Sequence, residues 1–296
     1  MRDGTAPANR LLQDLSNKPR STRVKKLNLA VLLASLAASG AALAQAAEAP
    51  KAPEPDYTLS ANVGVVSDYR YRGISQTRLK PALQGGADFA HKSGFYVGTW
   101  LSSIKWIEDT SDIAPTQDIH GPVEWDIYGG YKFSAGPIGF DVGLLQYWYV
   151  NNNLADAGGG GVFKNANTLE GYIAATWGPA TLKYSNAFTN LFGNYNFATD
   201  QNTKGSGYLD LSASFELPWW GLTLAPHVGY QRVNHLGVAS YTDWSLTLGK
   251  DFGNGFSASL AYVGTDADKG FYANPANGKF MGKDAAVVGV KYTYNF

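Results

Sequence analysis

The chain has 296 residues, including 34 Gly, 18 Tyr and 8 Trp but no Cys, and only 16% are charged, against roughly a quarter in ordinary soluble proteins. The absence of Cys excludes disulfides and thiolate metal sites. A mean hydropathy of −0.20 argues against a helical membrane protein and suits a sheet with one lipid face and one aqueous face. The formal charge is zero, but residues 1–44 hold seven Lys/Arg and two acids; the rest carries 17 basic and 22 acidic residues, about −5, and gives no support to nucleic-acid binding.

In chain order, Arg20, Arg23, Lys25 and Lys26 form a basic n-region, and Leu27 to Ala44 is an apolar run rich in Ala and Leu. It ends at the small-x-small site Ala42-Leu43-Ala44, so 1–44 reads as a cleaved secretory signal peptide. The stretch 1–23 is longer and more polar than an n-region needs, which points to a translation start near Val24. Residues 45–56 are an Ala/Pro/charge linker that cannot bury a core.

From Tyr57 to Phe296 the spacing predicts twelve strands, roughly 57–69, 81–91, 94–106, 122–133, 138–150, 167–177, 180–190, 207–217, 222–234, 241–252, 255–265 and 284–296. Most are long enough to cross a bilayer when tilted, whereas soluble strands run to about five or six residues. In the eighth, Leu209, Leu211, Ala213 and Phe215 share one face and Asp210, Ser212, Ser214 and Glu216 the other. The third and fifth are blurred, with large apolar residues on both faces. Short and long connections alternate strictly, as in a transmembrane antiparallel β-barrel with short periplasmic turns and longer extracellular loops.

Aromatic residues gather near strand ends, as in the two girdles of such barrels. Phe133, Phe140, Trp177, Phe215, Trp219, Trp220, Phe252 and Phe256 lie by the short turns; Trp106, Trp125, Trp148, Tyr208, Tyr230, Trp244 and Tyr262 lie toward the long loops. In the last strand Phe296, Tyr294, Tyr292, Val290, Val288 and Ala286 alternate with smaller or more polar residues. That pattern resembles the terminal strand of bacterial outer-membrane barrels, where a final Phe is read by the barrel-assembly machinery; the resemblance implies that Tyr292, Tyr294 and Phe296 are the assembly signal.

The stretch Val66-Ser67-Asp68-Tyr69-Arg70-Tyr71-Arg72-Gly73-Ile74-Ser75-Gln76-Thr77 resembles the opening signature of the TorF-family porins, also called the Gcw_chp family of bacterial outer-membrane proteins. The resemblance spans the mature chain in length and strand spacing. It implies an outer-membrane porin of a Gram-negative cell and imports neither a substrate nor functional residues.

Twelve strands enclose more space than eight and less than sixteen, so the expected interior is a narrow, partly plugged channel. Alternation places Asp88, Glu124, Asp126, Lys132, Asp141, Glu170, Lys183, Asp210, Glu216, Asp243 and Lys291 on the inner face. Acids outnumber bases there eight to three, which points to passive diffusion of small hydrophilic solutes with a preference for cations. The other reading of these charges is that they pair across the lumen and close it, leaving a receptor, adhesin or anchor. Arg70, Arg72, Arg78 and Lys80 read as partners for Asp68 and the inner acids, with an anion funnel or a lipopolysaccharide-phosphate site as the alternative.

Nothing points to catalysis, a metal or a cofactor. Of four His, His91 lies in a turn, His120 and His235 at loop edges, and His227 points inward next to Gly229. No nucleotide or zinc motif occurs. Asp266 and Asp268 with Gly270 only faintly resemble a calcium loop, and Gly158–Gly161 is a flexible loop segment. The partners expected are outer-membrane lipid, lipopolysaccharide, the assembly machinery and small solutes; the sequence fixes no oligomeric state.

Overall fold

The computed structural model describes residues 55–113, 118–160 and 163–296. The expected signal peptide 1–44 and the expected linker up to residue 54 lie outside the described residues.

Twelve long strands form one antiparallel sheet: β1 Tyr57–Val66, β2 Ala82–His91, β3 Phe95–Ser103, β4 Val123–Ala135, β5 Ile138–Tyr149, β6 Thr168–Trp177, β7 Ala180–Ala187, β8 Gly207–Ala213 continued by Phe215–Glu216, β9 Leu222–Arg232, β10 Tyr241–Gly253, β11 Phe256–Thr265 and β12 Ala285–Asn295. Each pairs with the next, and β12 pairs back onto β1 from Ser60↔Asn295 to Val66↔Gly289, closing the barrel. Closure leaves no unpaired sheet edge, which a strand crossing hydrocarbon cannot tolerate. Ser214 interrupts β8, yet Leu211↔Val228 and Phe215↔Leu224 keep one register across the break.

Alternation sorts the faces as the sequence pattern requires. On β12, Val288, Val290, Tyr294 and Phe296 are exposed on the outer wall, while Val287 is 9% exposed and faces in. Phe95, Leu144, Trp177, Leu211, Leu246 and Leu260 extend the same apolar outer band on other strands. Connections at one end are the tight ones after β2, β4, β6, β8 and β10; at the other end run the long loops 67–81, 104–122, 150–167, 188–206, 233–240 and 266–284.

Several expected strands continue past the observed ends. β1, β3 and β7 stop at Val66, Ser103 and Ala187, three residues short. Past β7, Phe188 still donates its amide to Leu169 on β6 and lies exposed before Leu191 is buried among the loops. Past β1 and β3 the chain turns inward, where Tyr69 and Ile104 join a core at the loop end. The blurred faces of the third and fifth segments have the same origin. Trp100, Tyr147 and Tyr149 point inward and join Tyr69, Ile104, Ile107, Ile119, Tyr128 and Leu154 in an apolar core inside the loop end of the barrel. Two expected girdle residues are therefore not girdle residues. Tyr208 is 4% exposed, on the inner face with Asp210; Trp106 packs edge-on to Tyr149 against this core. Trp125 and Trp148 do stack across β4 and β5, 5.5 Å apart, on the outer wall.

Candidate functional site

The site is the lumen, and its loop-end half is organised by the segment between β1 and β2. Residues Arg70–Tyr71 and Ile74–Ser75 pair as a small hairpin. Its tip residues Arg72 and Gly73 both have positive φ, 45° and 80°, the conformation of a tight hairpin turn that favours Asn-Gly or Gly-Gly. At Gly73 a Cβ would lie 2.8 Å from the Asp243 Cβ, so only glycine lets the tip rest on β10. Arg72 carries the Cβ penalty of the left-handed region, about 1 kcal/mol, and its head group is what that strain positions.

The Arg72 guanidinium donates to both Glu170 oxygens, Nη1 to Oε1 at 3.1 Å and Nη2 to Oε2 at 2.8 Å. Nη1 also donates to the Gln231 side-chain oxygen at 2.6 Å. The group lies over the Tyr208 ring at 4.1 Å and near the Tyr71 ring at 4.8 Å. Glu170 is on β6 and Gln231 on β9, whereas the hairpin is rooted at β1; in the ring these strands are five positions away one way and four the other. The hairpin therefore crosses the lumen to the opposite wall. Tyr71 adds a 2.7 Å hydroxyl contact with Tyr147 on β5.

At the root, Asp68 gathers the motif by accepting from Arg70 Nε at 2.5 Å, Ser75 Oγ at 2.6 Å and Thr77 Oγ1 at 3.2 Å. Arg70 Nη1 continues to the Gly73 and Met281 carbonyls. Arg78 and Asn274 both donate to the buried Asp109, joining three loops at the rim. That hydrogen bond raises the Arg78 guanidinium above its already high value, so Arg78 stays charged. The arginine cluster thus partners acids, as its sequence position suggested.

The expected lumenal residues divide into two groups. Glu124, Asp126, Glu170, Asp210 and Asp243 are all at most 4% exposed in the loop-end half. Glu124 accepts from Tyr69 at 2.7 Å and Asp243 from Tyr208 at 2.9 Å. His227 Nε2 lies 2.7 Å from Asp210 and Nδ1 3.6 Å from Asp243, so this His sits between two carboxylates, with the Tyr208 hydroxyl 3.1 Å from Nε2. Asp126 is 0% exposed, and neither of its carboxylate oxygens has a hydrogen-bond partner.

Nearer the turn end stand Asp88, Lys132, Asp141 and Lys291, all partly exposed, and the exposed Glu216; Lys183, also partly exposed, stands at the boundary of the two groups, opposite Asp210 in register. Tyr128 donates to Asp88 at 2.5 Å and Tyr96 to Asp141 at 2.7 Å. Lys132 faces Asp141 across β4 and β5 and lies 4.5 Å over the Tyr96 ring; Lys183 lies 4.1 Å over Tyr172. Gly98 makes room for the Tyr128 ring, 2.4 Å from where a Cβ would be. Apart from Glu216 and Lys291, the turn-end wall over β8–β12 and β1 carries small inward groups, such as Ser212, Thr223, Thr247, Ser259 and Ser60.

The sequence reading missed Gln231 and the inward tyrosines Tyr147 and Tyr172. The available signal was parity, since Tyr172 shares the face of Glu170 and Gln231 that of His227. For the hairpin the signal was Arg72-Gly73 between Tyr71 and Ile74.

No curated protein matches the chain. Among solved structures it is similar to the KdgM porin, at 7% identity over 81% of this chain and 99% of that one, TM-score 0.46. It is also similar to the NanC porin, at 8% identity over 80% of this chain and 100% of that one, TM-score 0.46, and to an outer membrane channel from Pseudomonas putida F1, at 11% identity over 85% and 100%, TM-score 0.45. The barrel itself rests on strand pairing within this chain. Residues 49–294 match the model of a family described as a bacterial protein of unknown function, and the chain belongs to that family, Gcw_chp.

Proposed function

We propose that this protein is an outer-membrane porin of the TorF type that lets small hydrophilic solutes diffuse through a constricted lumen. One observation carries the reading: a closed twelve-strand barrel with an apolar outer wall encloses a turn-end half lined by Asp88, Lys132, Asp141, Glu216 and Lys291, with Lys183 at its boundary. Charges on that face need water, because lipid-facing charge at mid-depth costs about 2–4 kcal/mol. In this reading the short turns are periplasmic, the long loops face outward among lipopolysaccharide, and Tyr292, Tyr294 and Phe296 are the signal that delivers the chain to the assembly machinery. Deleting Phe296 is expected to lower the amount of barrel in the outer membrane while leaving export intact; unchanged levels would remove that role.

Cation preference is the finer part of the proposal. Counting Lys183, the turn-end charges balance, three acids against three lysines, so a preference originates at Glu124, Asp126, Glu170, Asp210 and Asp243, where the hairpin brings Arg70 and Arg72. Single-channel conductance of the refolded chain in a planar bilayer tests the pore, and the reversal potential under a salt gradient tests the preference. Discrete steps with cation selectivity are expected; anion selectivity would overturn the preference.

A second reading has its own observation. The crossing hairpin and the apolar core around Tyr69, Trp100 and Leu154 fill the loop end, which favours a closed-lumen receptor, adhesin or anchor. A folded, heat-modifiable barrel without conductance would select it.

A further inference from the structure

We infer that the wall facing the hairpin tip is a binding site for a small solute carrying a guanidinium group, and that Arg72 is the protein's own occupant of it. Every wall of a guanidinium site is present: a carboxylate that takes two parallel N–H donors, Glu170; a third acceptor, Gln231; and an aromatic face, Tyr208, 4.1 Å from the central carbon. This fork-to-fork geometry distinguishes guanidinium from ammonium, which offers a compact point charge without a planar pair of donors.

Two further observations point to a ligand beyond Arg72. Asp126, wholly buried and without a hydrogen-bond partner, lies within electrostatic reach of Glu124 and Glu170. The cations within reach of Glu170 are Arg72 and Lys183, two for the three acids. Beside the Arg72 head group a cavity of about 100 Å³ is lined by Arg70, Tyr208, His227, Asp243 and Ser245. That is room for about three waters, next to the Tyr208 face of the site, with Val263 as its apolar lining. The tip conformation fits the same account. A turn that favours Asn-Gly or Gly-Gly holds an arginine instead, and the head group is the reason.

The test removes the occupant and keeps the turn. Arg72→Gly supplies a residue at home at φ 45°, so the hairpin closes without strain. Full-length mature barrel is refolded in detergent, its folding checked by heat-modifiable gel mobility, and its melting temperature followed with ethylguanidinium or ethylammonium. Ethylguanidinium is expected to raise the melting temperature of Arg72→Gly and to bind roughly tenfold tighter than ethylammonium; the double variant Arg72→Gly/Glu170→Gln is expected to show neither effect. Equal responses to the two cations, or an undiminished response in the double variant, would overturn the site. Should Arg72→Gly fail to fold, Arg72→Asn, which also suits the left-handed tip and leaves the site empty of a cation, carries the same comparison, with Arg72→Asn/Glu170→Gln as its control.

Only the solute's route to the site rests on the porin reading, and melting separates the two. Binding without conductance leaves the site in a closed receptor barrel. Where channels open, ethylguanidinium is expected to reduce the current of Arg72→Gly more than ethylammonium does, and an equal reduction would count against the site.

Discussion

The two halves of the lumen use the same residue types to opposite ends. At the turn end, Lys132 and Asp141 face each other on neighbouring strands, partly exposed, with Tyr96 donating to the acid. At the loop end, Arg72 and Glu170 are brought together from opposite sides of the barrel, and their side chains are only 6% and 3% exposed. A pair between neighbouring strands is local and solvated; under the porin proposal it would tune the field a passing ion meets. A pair across the barrel holds the two walls and the hairpin in one arrangement. Burial separates the roles, because desolvated charges that lose a partner are expensive while exposed ones are not.

The largest effect expected from this contrast follows loss of the whole hairpin. Replacing residues 70–75 by a short Gly-rich link removes Arg70 and Arg72 and uncovers Glu170, Asp210 and Asp243. Conductance is expected to rise severalfold and the reversal potential to move toward cation selectivity. An unchanged current would mean that loop 67–81 does not limit the path. Next in size is Glu170→Ala, which leaves a buried guanidinium with only Gln231 and two aromatic rings. The expected loss is about 3–5 kcal/mol, read from denaturant unfolding in detergent. Tyr208→Phe is smaller. It keeps the ring beneath Arg72 and removes the hydroxyl that donates to Asp243 at 2.9 Å, for an expected loss of about 1–3 kcal/mol. A loss as large as that of Glu170→Ala would show that the Tyr208–Asp243 contact, rather than the ion pair, holds the tip.

Much of the barrel was legible because its physics is local. Alternation at Leu209 to Phe215 and at Val288 to Phe296 follows from a barrel wall with an apolar outer face and a polar inner one, and the tight and long connections alternate because each end of the barrel carries one kind. Depth was not legible. Parity assigns Asp126 and Asp141 to the same inner face, yet one is wholly buried and the other half-exposed, because burial here comes from a segment folding back into the barrel. Tyr208 was misplaced for a related reason: position near a strand end suggested a girdle, while parity with Asp210 already placed it inside. The stretch from Val66 to Thr77 stood out as a motif, and its arginines were matched with inner acids, but the acid met by Arg72 lies 98 residues on. No local pattern encodes that distance.

Lys132 provides the smallest and sharpest of these tests. Its ammonium sits over the Tyr96 ring and opposite Asp141, both on strands adjacent to its own. Lys132→Gln removes one positive charge from a balanced set of three acids and three lysines and leaves Asp141 its hydrogen bond from Tyr96. Stability is expected to change by under about 1 kcal/mol, since the pair is part-solvated, while the reversal potential moves toward cations by one charge's worth. Salt strengthens the discrimination. Screening at 1 M shortens the reach of a solvated charge to about 3 Å, so the selectivity difference between Lys132→Gln and the parent is expected to vanish there. The cost of Glu170→Ala, set by desolvation, is expected to persist at the same salt. If both effects faded together, the loop-end acids would be as wet as those at the turn end, and the division of the lumen into a held half and a tuning half would fail.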